Sequence, residues 1–478
     1  MTSRRLSHQR PVRRLAAVAL TLGLIAGLCT ACDSTPVVAR GSVTGTAGAL
    51  IGGADVAVYA DDAPTPVASA RTNVAGQWTM RTSQIAAGTY RVRVAGTWYP
   101  AADSWAEADS VTFGESDPVD LDVVVDPATR LTGSVVHADL TPVTGWLVTA
   151  TDPEDSVVAT ASVDASGAFR LPLIAGAGSY RVWLHDPGAG STTAVGGGVP
   201  TDFSVAADQD RRIGAIDAAT GIVIDPSTVA SAVTGPYAVA TTSVAPVDGF
   251  GGGTIYAPTS DAHAPYGAVV ATPGFLMTQD TMSWYGPRIA SQGFVVFTID
   301  TNTTGDFPPS RATQMLAALD WLTGSSAQGP RIDPARTAVM GWSMGGGGSL
   351  EAGLQRPSLR AVVALAPWQS RTDYSAMRVP TLIVACQTDS IAPVAQHASP
   401  MYESLGATLP REYIEIAGAE HFCVTTNNTV AAQRTAIARQ TLGILQRFVN
   451  DDPRYSAVTC PTPTVGGVLS DSRSSCPF

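Results

Sequence analysis

Five short apolar runs, nearly free of polar residues, recur through the second half of the chain. They cover residues 266–271, 293–299, 337–340, 361–365 and 380–385. Continuous apolar runs of this length are typical of strands buried on both faces, as in a parallel sheet. Helical stretches are predicted between them and after them, at 310–323, 345–355 and 431–449. This alternation predicts an α/β domain with a central, mostly parallel sheet flanked by helices.

One of these strands leads directly into the sequence Gly341-Trp342-Ser343-Met344-Gly345, which a predicted helix follows. The pattern G-x-S-x-G between a strand and a helix is typical of a tight turn that lifts a serine hydroxyl above the edge of the sheet. Glycines flank the serine because larger side chains would clash in such a turn. We therefore predict an α/β-hydrolase fold in which Ser343 is the nucleophile.

A serine hydroxyl needs a base within hydrogen-bonding reach, and position along the chain selects His421. This histidine follows a late predicted strand, 412–416, and lies in the loop Gly418-Ala419-Glu420-His421. The fold requires the order serine, acid, histidine along the chain. The other histidines lie in the leader, in the first half of the chain, before the first strand or in a predicted helix: His8, His137, His185, His263 and His397.

The acid that orients the histidine is predicted to be Asp389, which follows the strand 380–385. Asp373, on the loop after the preceding strand, is the alternative. Asp451 and Asp452 come after His421 and so have the wrong order.

Two backbone N–H groups are needed to stabilise the oxyanion that forms during acyl transfer. One is expected from Met344, the residue after the nucleophile. The other is expected from the loop after an early strand, where Thr272-Pro273-Gly274-Phe275 places Phe275. The Phe275 side chain would then form an apolar wall beside the reacting carbonyl.

Several motifs spread over the second half resemble one enzyme family. They include Gly253-Thr254-Ile255-Tyr256, Gly293-Phe294-Val295-Val296, the glycine-rich stretch 341–348 and Asp389-Ser390-Ile391-Ala392-Pro393. Together they resemble the actinobacterial cutinases and bacterial polyester (PET) hydrolases over essentially all of 233–478. The resemblance implies a serine ester hydrolase that acts on polyester and other hydrophobic esters through an acyl-enzyme on Ser343. Some relatives bind calcium as a stabiliser, but the sequence places no such site here, and we expect no cofactor and no metal.

The resemblance also implies a substrate cleft lined by Trp368 and Ile391, to which we add Phe275 and Phe422. Only residues 366–379 separate two predicted strands at the place where many lipases insert a lid, so we expect an open cleft. The family often has tyrosine at the position of Phe275. Leu276 and Met277 replace the small polar residues that are usual next to it.

Four cysteines in the distal half fit the same family pattern. Cys386 lies three residues before Asp389, and Cys423 lies two residues after His421. The resemblance implies a Cys386–Cys423 disulfide that ties the acid loop to the base loop, and a Cys460–Cys476 disulfide that pins the C-terminal tail.

The N-terminus predicts export. Residues 1–31 combine five arginines with an apolar run from Leu15 to Leu28 and a small-residue exit, as secretory signals do. The segment resembles a bacterial lipoprotein signal, in which the first mature residue, here Cys32, carries the lipid. We therefore expect an enzyme at the cell surface or outside the cell, with a membrane contact only through this anchor.

An internal repeat covers much of the first half. Gly41-Ser42-Val43 recurs as Gly133-Ser134-Val135, and Gly88-Thr89-Tyr90-Arg91-Val92 recurs as Gly178-Ser179-Tyr180-Arg181-Val182. Short β-rich runs between turn residues predict an all-β sandwich in each copy, at 38–127 and 128–218, followed by a linker at 219–232 and the catalytic domain at 233–478. The copies resemble carboxypeptidase-regulatory-like or Ig-like modules.

Tryptophans in these β modules allow two interpretations. Trp78, Trp98, Trp105, Trp146 and Trp183 could form a surface that binds a polymer. Large aromatic residues more often lie in a core, so we favour a core or spacer role, with Trp78 and its counterpart Phe169 as core residues.

Charge excludes one class of partner. The formal net charge is -11 although residues 1–31 contribute five arginines and no acid, and an acidic body repels nucleic acids. We expect a monomer whose partner is a hydrophobic polymeric or small ester. A short-chain lipase or general esterase remains an alternative, and a surface-binding protein with an inactive hydrolase domain is an alternative of another class.

Overall fold

The computed structural model describes residues 35–478, except 46–47, 61–64, 96, 101–104, 116, 126–128, 175, 262 and 461. The predicted export signal and Cys32 lie outside the described residues. Within the described part of the chain, no helix combines the length and apolar character needed to cross a bilayer.

Two facing sheets make up the first β module. Its strands in the described residues are β1 Val37–Gly45, β2 Asp55–Ala60, β3 Ala68–Arg71, β4 Gln77–Arg81, β5 Gly88–Val94, β6 Thr97–Trp98, β7 Val111–Phe113, β8 Val119–Asp120 and β9 Val123–Val125. One sheet has the order β4-β1-β8, with β9 also paired to β1, and the other has the order β3-β2-β5-β6, with β7 paired to β5. Trp78 is buried between them.

The second β module repeats this topology. Its strands are β10 Arg130–Val136, β11 Leu147–Thr151, β12 Val157–Ser162, β13 Ala168–Pro172, β14 Gly178–Asp186, β15 Ser191–Ala194, β16 Phe203–Val205 and β17 Asp210–Asp217. In both modules the first strand pairs antiparallel with the fourth and parallel with the last. Phe169 is buried at the place equivalent to Trp78, so both residues serve the module cores.

A single sheet of nine strands organises the second half of the chain. The strands are β18 Val239–Val244, β19 Gly253–Pro258, β20 Tyr266–Thr272, β21 Phe294–Ile299, β22 Ile332–Trp342, β23 Ala361–Leu365, β24 Thr381–Cys386, β25 Arg411–Ile416 and β26 Leu469–Ser474. Their order is β18-β19-β21-β20-β22-β23-β24-β25-β26. The six strands from β21 to β25 in this order run parallel, and the outer strands pair antiparallel.

Helices cover both faces of this sheet. They are α1 Pro226–Ser231, α2 Tyr285–Ala290, α3 Pro308–Gly324, α4 Met344–Gln355, α5 Ala398–Ser404, α6 Ala431–Phe448 and α7 Ser456–Thr459. Neighbouring residues of one strand, such as Val269 and Val270, enter separate cores on opposite faces. Because the parallel strands are buried on both faces, their sequences are uninterrupted apolar runs. The predicted α/β-hydrolase fold class is confirmed.

Helix α1 lies inside the segment predicted to be a linker, 219–232. Asp225 caps its N-terminus by accepting a hydrogen bond from the Ser227 N–H (2.8 Å). The helix packs against α6 and α7. Part of the connection is therefore a structural element of the second half of the chain.

Contacts join the second β module to the amino edge of the nine-stranded sheet, where its parallel strands begin. His263, just before β20, contacts the Phe169 carbonyl through Nε2 at 3.1 Å. The Ser260 hydroxyl donates to the Asp164 carboxylate, and the Arg454 guanidinium donates to the Ile213 carbonyl. The module is therefore attached where the parallel strands begin, whereas Ser343 lies at their carboxyl ends.

Candidate active site

Ser343 occupies a strained turn between β22 and α4. Its backbone is in the left-handed region (φ 56°, ψ -118°), which a non-glycine residue adopts only when its surroundings enforce it. A Cβ on Gly341 would lie 2.3 Å from the Gly345 carbonyl oxygen, and a Cβ on Gly345 would lie 2.3 Å from the Thr272 carbonyl oxygen. The two glycines of the motif are therefore required by the close approach of three backbone segments.

A continuous hydrogen-bond chain links the serine, the histidine and an aspartate. The Ser343 hydroxyl lies 2.8 Å from His421 Nε2, and His421 Nδ1 lies 2.6 Å from Asp389 Oδ2. A carboxylate can only accept, so Nδ1 carries the proton and Nε2 is free to take one from the serine. All three side chains are buried, which strengthens each electrostatic contact.

Backbone N–H groups hold the Asp389 carboxylate in place. Its second oxygen, Oδ1, accepts from the N–H groups of Ile391 (2.9 Å) and Ala392 (2.7 Å). Asp373, the alternative acid, is exposed, and its Oδ1 accepts from the Ser375 N–H (2.9 Å). These hydrogen bonds from Ser375 lower the pKa of Asp373, and its contacts belong to a surface turn. Of the two candidates, the geometry joins Asp389 to His421.

The two predicted oxyanion donors lie on either side of the serine. Met344 is the first residue of α4, where an N–H has no partner within the helix. Phe275 follows Gly274, whose Cβ position would be 3.0 Å from the Ser343 Cβ. In the described residues, neither the Phe275 N–H nor the Met344 N–H donates to another backbone carbonyl outside regular helices and strands. Both N–H groups therefore remain candidates for the oxyanion hole.

Arg311, a residue that the sequence did not single out, supports the loop that carries Phe275. Its guanidinium is fully buried at the start of α3. It donates to the carbonyls of Pro273 (3.0 Å), Thr304 (2.8 Å) and Asp306 (2.7 Å). Burial lowers the pKa of Arg311 to about 10, so it stays charged at neutral pH. The sequence carries no clear signal of this role, because arginine usually lies at the surface.

The Cys386–Cys423 disulfide joins the segments that carry Asp389 and His421. Cys386 ends β24, and Cys423 lies in the short 3-10 helix that begins at His421. The Trp342 indole Nε1–H donates to the His421 carbonyl (3.0 Å), which fixes the same segment from the nucleophile side. The second disulfide, Cys460–Cys476, closes the C-terminal tail.

Apolar side chains surround the entrance to the serine. Ile391 is exposed beside the acid loop, and Phe422 packs on Trp342 with ring centroids 4.9 Å apart. Trp368, whose N–H donates to the Ser343 carbonyl (2.9 Å), has its ring 5.8 Å from that of His397. Segment 366–380, between β23 and β24, contains no helix.

One further aromatic residue was missed. Phe307 lies directly before α3, and its ring centroid is 6.4 Å from that of Trp368. Its position after a strand and before two prolines is typical of a loop, and a loop position alone does not tell which way a side chain points.

Among the described residues, no group of three or more His, Cys, Asp or Glu side chains could hold a metal ion.

Comparison with known proteins covers this half of the chain. Residues 217–477 match the family model described as PET hydrolase-like. The chain is 50% identical over 248 residues to a bis(hydroxyethyl) terephthalate hydrolase from Streptomyces coelicolor, a match that covers 52% of this chain and 78% of that protein. It is 48% identical over 235 residues to Cutinase 2 from Thermobifida cellulosilytica (48% of this chain, 87% of that protein).

A third relative, Cutinase est1 from Thermobifida alba, is 46% identical over 237 residues, which is 48% of this chain and 77% of that protein. The match of the family model extends over more than half of the chain and includes every element of the nine-stranded sheet. From this match, together with the turn at Ser343 and its hydrogen-bond chain, it follows that the protein belongs to the PET hydrolase-like family.

Proposed function

We propose that this serine ester hydrolase cleaves the ester bonds of hydrophobic polyesters, with Ser343 as the nucleophile, His421 as the general base and Asp389 as the orienting acid. The observation that carries the proposal is the hydrogen-bond chain from Ser343 through His421 to Asp389, with distances of 2.8 Å and 2.6 Å. The relatives are named as cutinases and as a bis(hydroxyethyl) terephthalate hydrolase. These names support a substrate whose ester bonds belong to a polymer or to a terephthalate ester.

Acylation uses the two ends of the imidazole. His421 Nε2 takes the proton of the Ser343 hydroxyl while Oγ attacks the ester carbonyl carbon. The carbonyl oxygen becomes an oxyanion, which the N–H groups of Phe275 and Met344 stabilise. Asp389 stabilises the imidazolium that forms. The tetrahedral intermediate then expels the alcohol, which receives the proton from His421, and leaves an acyl-enzyme on Ser343.

Deacylation repeats the sequence with water. His421 removes a proton from a water molecule, which attacks the acyl carbonyl carbon. Collapse of the second intermediate returns the proton to Ser343 Oγ and releases the carboxylic acid. The left-handed backbone at Ser343 supports this cycle because it holds Oγ where both His421 and the two N–H groups can reach the reacting atoms.

We propose that the entrance accepts a long substrate, with Phe275, Trp368, Ile391 and Phe422 as its apolar walls. The segment between β23 and β24 is short and contains no helix, which supports an open cleft. Aromatic walls can stack on aromatic diesters and can also bury aliphatic chains. We therefore propose that aliphatic polyesters such as polycaprolactone are hydrolysed, and that PET is hydrolysed more slowly.

Export and attachment belong to the same proposal. The leader 1–31 would be removed, Cys32 would carry a lipid, and the monomeric enzyme would work at the cell surface or outside the cell. Two β modules of about 90 residues separate Cys32 from the catalytic half and would serve as a spacer. Mass spectrometry of the mature protein from the native cell tests this, and an unlipidated mature N-terminus at another residue would contradict it.

Hydrolysis of a graded panel of esters, from p-nitrophenyl butyrate to polycaprolactone and PET films, tests the function. The wild-type chain should release products from the soluble ester and the aliphatic film. Ser343→Ala should lower turnover by several orders of magnitude without changing the melting temperature, because the triad acts as a unit. Activity on the soluble ester alone would favour a general esterase, and no activity on either would leave a binding protein.

The acid assignment has its own control. Asp389→Ala should be severely impaired, because His421 would lose the partner that sets its tautomer. Asp373→Ala should retain the wild-type rate, because its carboxylate serves a surface turn. The opposite result would move the acid to Asp373.

A further inference from the structure

A groove of about 570 Å³ lies between α2, the start of α6 and the segment that leads into β18. Its volume is within the usual range of small-molecule sites, about 300–1,000 Å³. No residue of the proposed triad, oxyanion donors or cleft walls is part of its described lining. We call it the arginine groove, because apolar side chains and two arginines line it: Val233, Val239, Trp284, Pro287, Arg288 and Arg434.

Arg288, on α2, is a charged side chain that is almost fully enclosed (5% exposed). Its Nη2 donates to the Ser231 carbonyl (2.9 Å), and its Nε is buried without a hydrogen-bond partner among the described residues. Burial, followed by the nearby Arg434 cation, lowers the pKa of Arg288 to about 10, so it stays charged at neutral pH. Buried charges are normally paired, and Arg288 lacks such a partner in the described part of the chain.

Arg434 brings a second cation to the same groove. Its guanidinium carbon lies 4.6 Å from the centroid of the Trp284 ring, and its Nη1 is 3.5 Å from the Asn428 carbonyl oxygen. Helix α6 begins at Ala431, which also lines the groove, and its first turn has neither a side-chain cap nor an acidic residue. The amino end of a helix attracts negative charge. The helix end therefore adds to the positive charge of the two arginines.

No carboxylate balances these charges in the described part of the chain. Neither arginine forms an ion pair with an aspartate or a glutamate there, and none of the described residues that line the groove is acidic. By contrast, the partly buried Arg336 and Arg454 each pair with an aspartate. An anion with an apolar body is therefore complementary to the arginine groove in both charge and polarity.

One wall of the groove is fixed by hydrogen bonds to the segment that begins at His421. The Trp284 indole Nε1–H (3.1 Å) and the Tyr285 hydroxyl (2.9 Å) both donate to the Val424 carbonyl. Val424 is the last residue of the 3-10 helix that starts at His421. A wall that is held in place before binding loses little conformational entropy when a ligand enters. The arginine groove is therefore formed before its ligand arrives.

We propose that the arginine groove binds a carboxylate attached to a small apolar body, and that its occupant is the acid product of the enzyme's own reaction. This inference rests on the proposed function, because hydrolysis of a hydrophobic ester yields an alcohol and an acid of this kind. A guanidinium binds a carboxylate through parallel N–H donors, and the apolar lining removes the remainder of the acid from water. Product held in the groove does not compete with the next ester for Ser343.

Calorimetric titration with p-ethylbenzoate tests the proposal. This probe has a carboxylate on an apolar ring and no ester bond, and p-ethylbenzamide has nearly the same shape without the charge. Ser343 is first sulfonylated with phenylmethylsulfonyl fluoride, so that the cleft is filled and only sites outside it can bind. The full chain should then bind p-ethylbenzoate at one site, and p-ethylbenzamide at least tenfold more weakly.

Substitutions on α6 locate the site. Arg434→Gln should weaken the binding of p-ethylbenzoate at least tenfold, and Arg434→Lys, which keeps the charge, should weaken it less. Arg447→Gln is the matched control, because it removes the same charge from the last turn of α6, where Arg447 contacts the Ser456 hydroxyl (3.0 Å). The control should bind the probe like the wild type. Melting temperatures of the three variants verify that each chain is folded.

The proposal is overturned if p-ethylbenzoate and p-ethylbenzamide bind equally, or if Arg434→Gln and Arg447→Gln weaken binding by the same factor. It is also overturned if inorganic phosphate binds as tightly as p-ethylbenzoate, because the apolar lining would then contribute nothing. Failure of the proposed function has a different result: the wild-type chain would neither hydrolyse p-nitrophenyl butyrate nor react with phenylmethylsulfonyl fluoride.

Discussion

Arg311 does not touch the proposed reacting atoms, but it holds the backbone of the loops beside them. Its guanidinium binds three backbone carbonyls in two loops, those of Pro273, Thr304 and Asp306. The loop of Pro273 also carries Phe275, whose N–H is proposed as an oxyanion donor. Buried carbonyls need partners, and a planar guanidinium is suited to satisfy several at fixed angles. Arg311 is therefore a positioning residue.

Arg311→Lys should lower kcat/KM for p-nitrophenyl butyrate by about tenfold to a hundredfold, because small displacements of positioned groups have effects of that size. A single ammonium cannot reach all three carbonyls, so the loop that carries the Phe275 N–H would shift. The loss should appear mainly in kcat, because the oxyanion forms only after attack. Steady-state kinetics and the melting temperature together measure the effect.

Arg356→Lys is the control for this substitution. Arg356 lies just after α4 and forms a two-point ion pair with Asp320 (2.7 and 2.8 Å), whose side chain is largely exposed. Surface ion pairs contribute about 0–1 kcal/mol, so the variant should behave like the wild type. If both lysine variants lost activity equally, Arg311 would have no special role in positioning the loop.

At the residue scale, sequence reasoning located groups whose place along the chain is diagnostic. Ser343 was predicted from its glycine-flanked turn and His421 from its position after a late strand, and the structure places their side chains 2.8 Å apart. Such patterns do not predict the direction in which a side chain points. Phe307 was missed because a loop residue can point inward or outward, and the buried role of Arg311 was missed because arginine usually lies at the surface.

At the element scale, the interior of the sheet was easier to predict than its edges. Residues 361–365 were predicted as a strand and form β23 with the same bounds. β18, one of the two outermost strands, was not predicted. Its middle residues Ala240–Ser243 are exposed and so give no apolar run in the sequence. Helix α1 was missed for a related reason, since six residues of mixed polarity read as a linker.

The Cys386–Cys423 disulfide is the element whose removal should affect both stability and catalysis. It closes a loop of 37 residues, which corresponds to about 4 kcal/mol in the chain-entropy treatment. The variant with both cysteines changed to alanine should melt about 10 °C lower. Its kcat on soluble ester should also fall, because the loops of Asp389 and His421 lose their covalent link. Thermal unfolding and kinetics measure both effects.

The other disulfide provides the comparison. Cys460 and Cys476 are 16 residues apart and hold the tail near β26, away from Ser343. Their double alanine variant should melt at a lower temperature than the wild type but retain kcat at temperatures where it is folded. Equal losses of kcat in the two variants would indicate that the Cys386–Cys423 bond acts only through global stability.

At the scale of the whole molecule, the second β module and the catalytic half share a buried interface. His263 is fully enclosed there, between the Tyr237 hydroxyl and the Phe169 carbonyl. Burial, followed by the nearby Arg212 cation, lowers the pKa of His263 to about 4, while Asp210 and Asp164 act in the opposite direction. The histidine is therefore neutral in the assembled molecule near neutral pH.

This shift predicts that acid weakens the attachment of the module. A histidine released to water has a pKa of about 6.5, so the stabilisation from neutral His263 is complete above that pH. It is lost as pH falls from about 6.5 toward 4, because the exposed form gains a proton that the buried form excludes. The melting temperature of the full chain should fall over this range.

Scanning calorimetry of the full chain at pH 7.5 and pH 4.5 tests the prediction. His263→Gln keeps hydrogen-bonding groups but cannot gain a proton, so its melting temperature should fall less than that of the wild type. Separate unfolding of the module should appear in the wild type at the lower pH. Identical pH dependence in both chains would show that other groups control acid stability.

Attachment of the second β module where the parallel strands begin has a geometric consequence for an enzyme held at a cell surface. The seven residues of β20 extend roughly 20 Å between the end that meets the module and the end beside Ser343. If Cys32 holds the chain to a membrane as proposed, the β modules lie between the membrane and the catalytic half. Ser343 then lies at the end of the sheet opposite to the attached module, where it can meet a polymer. Products cut from the polymer would then be released close to the surface of the cell that made the enzyme.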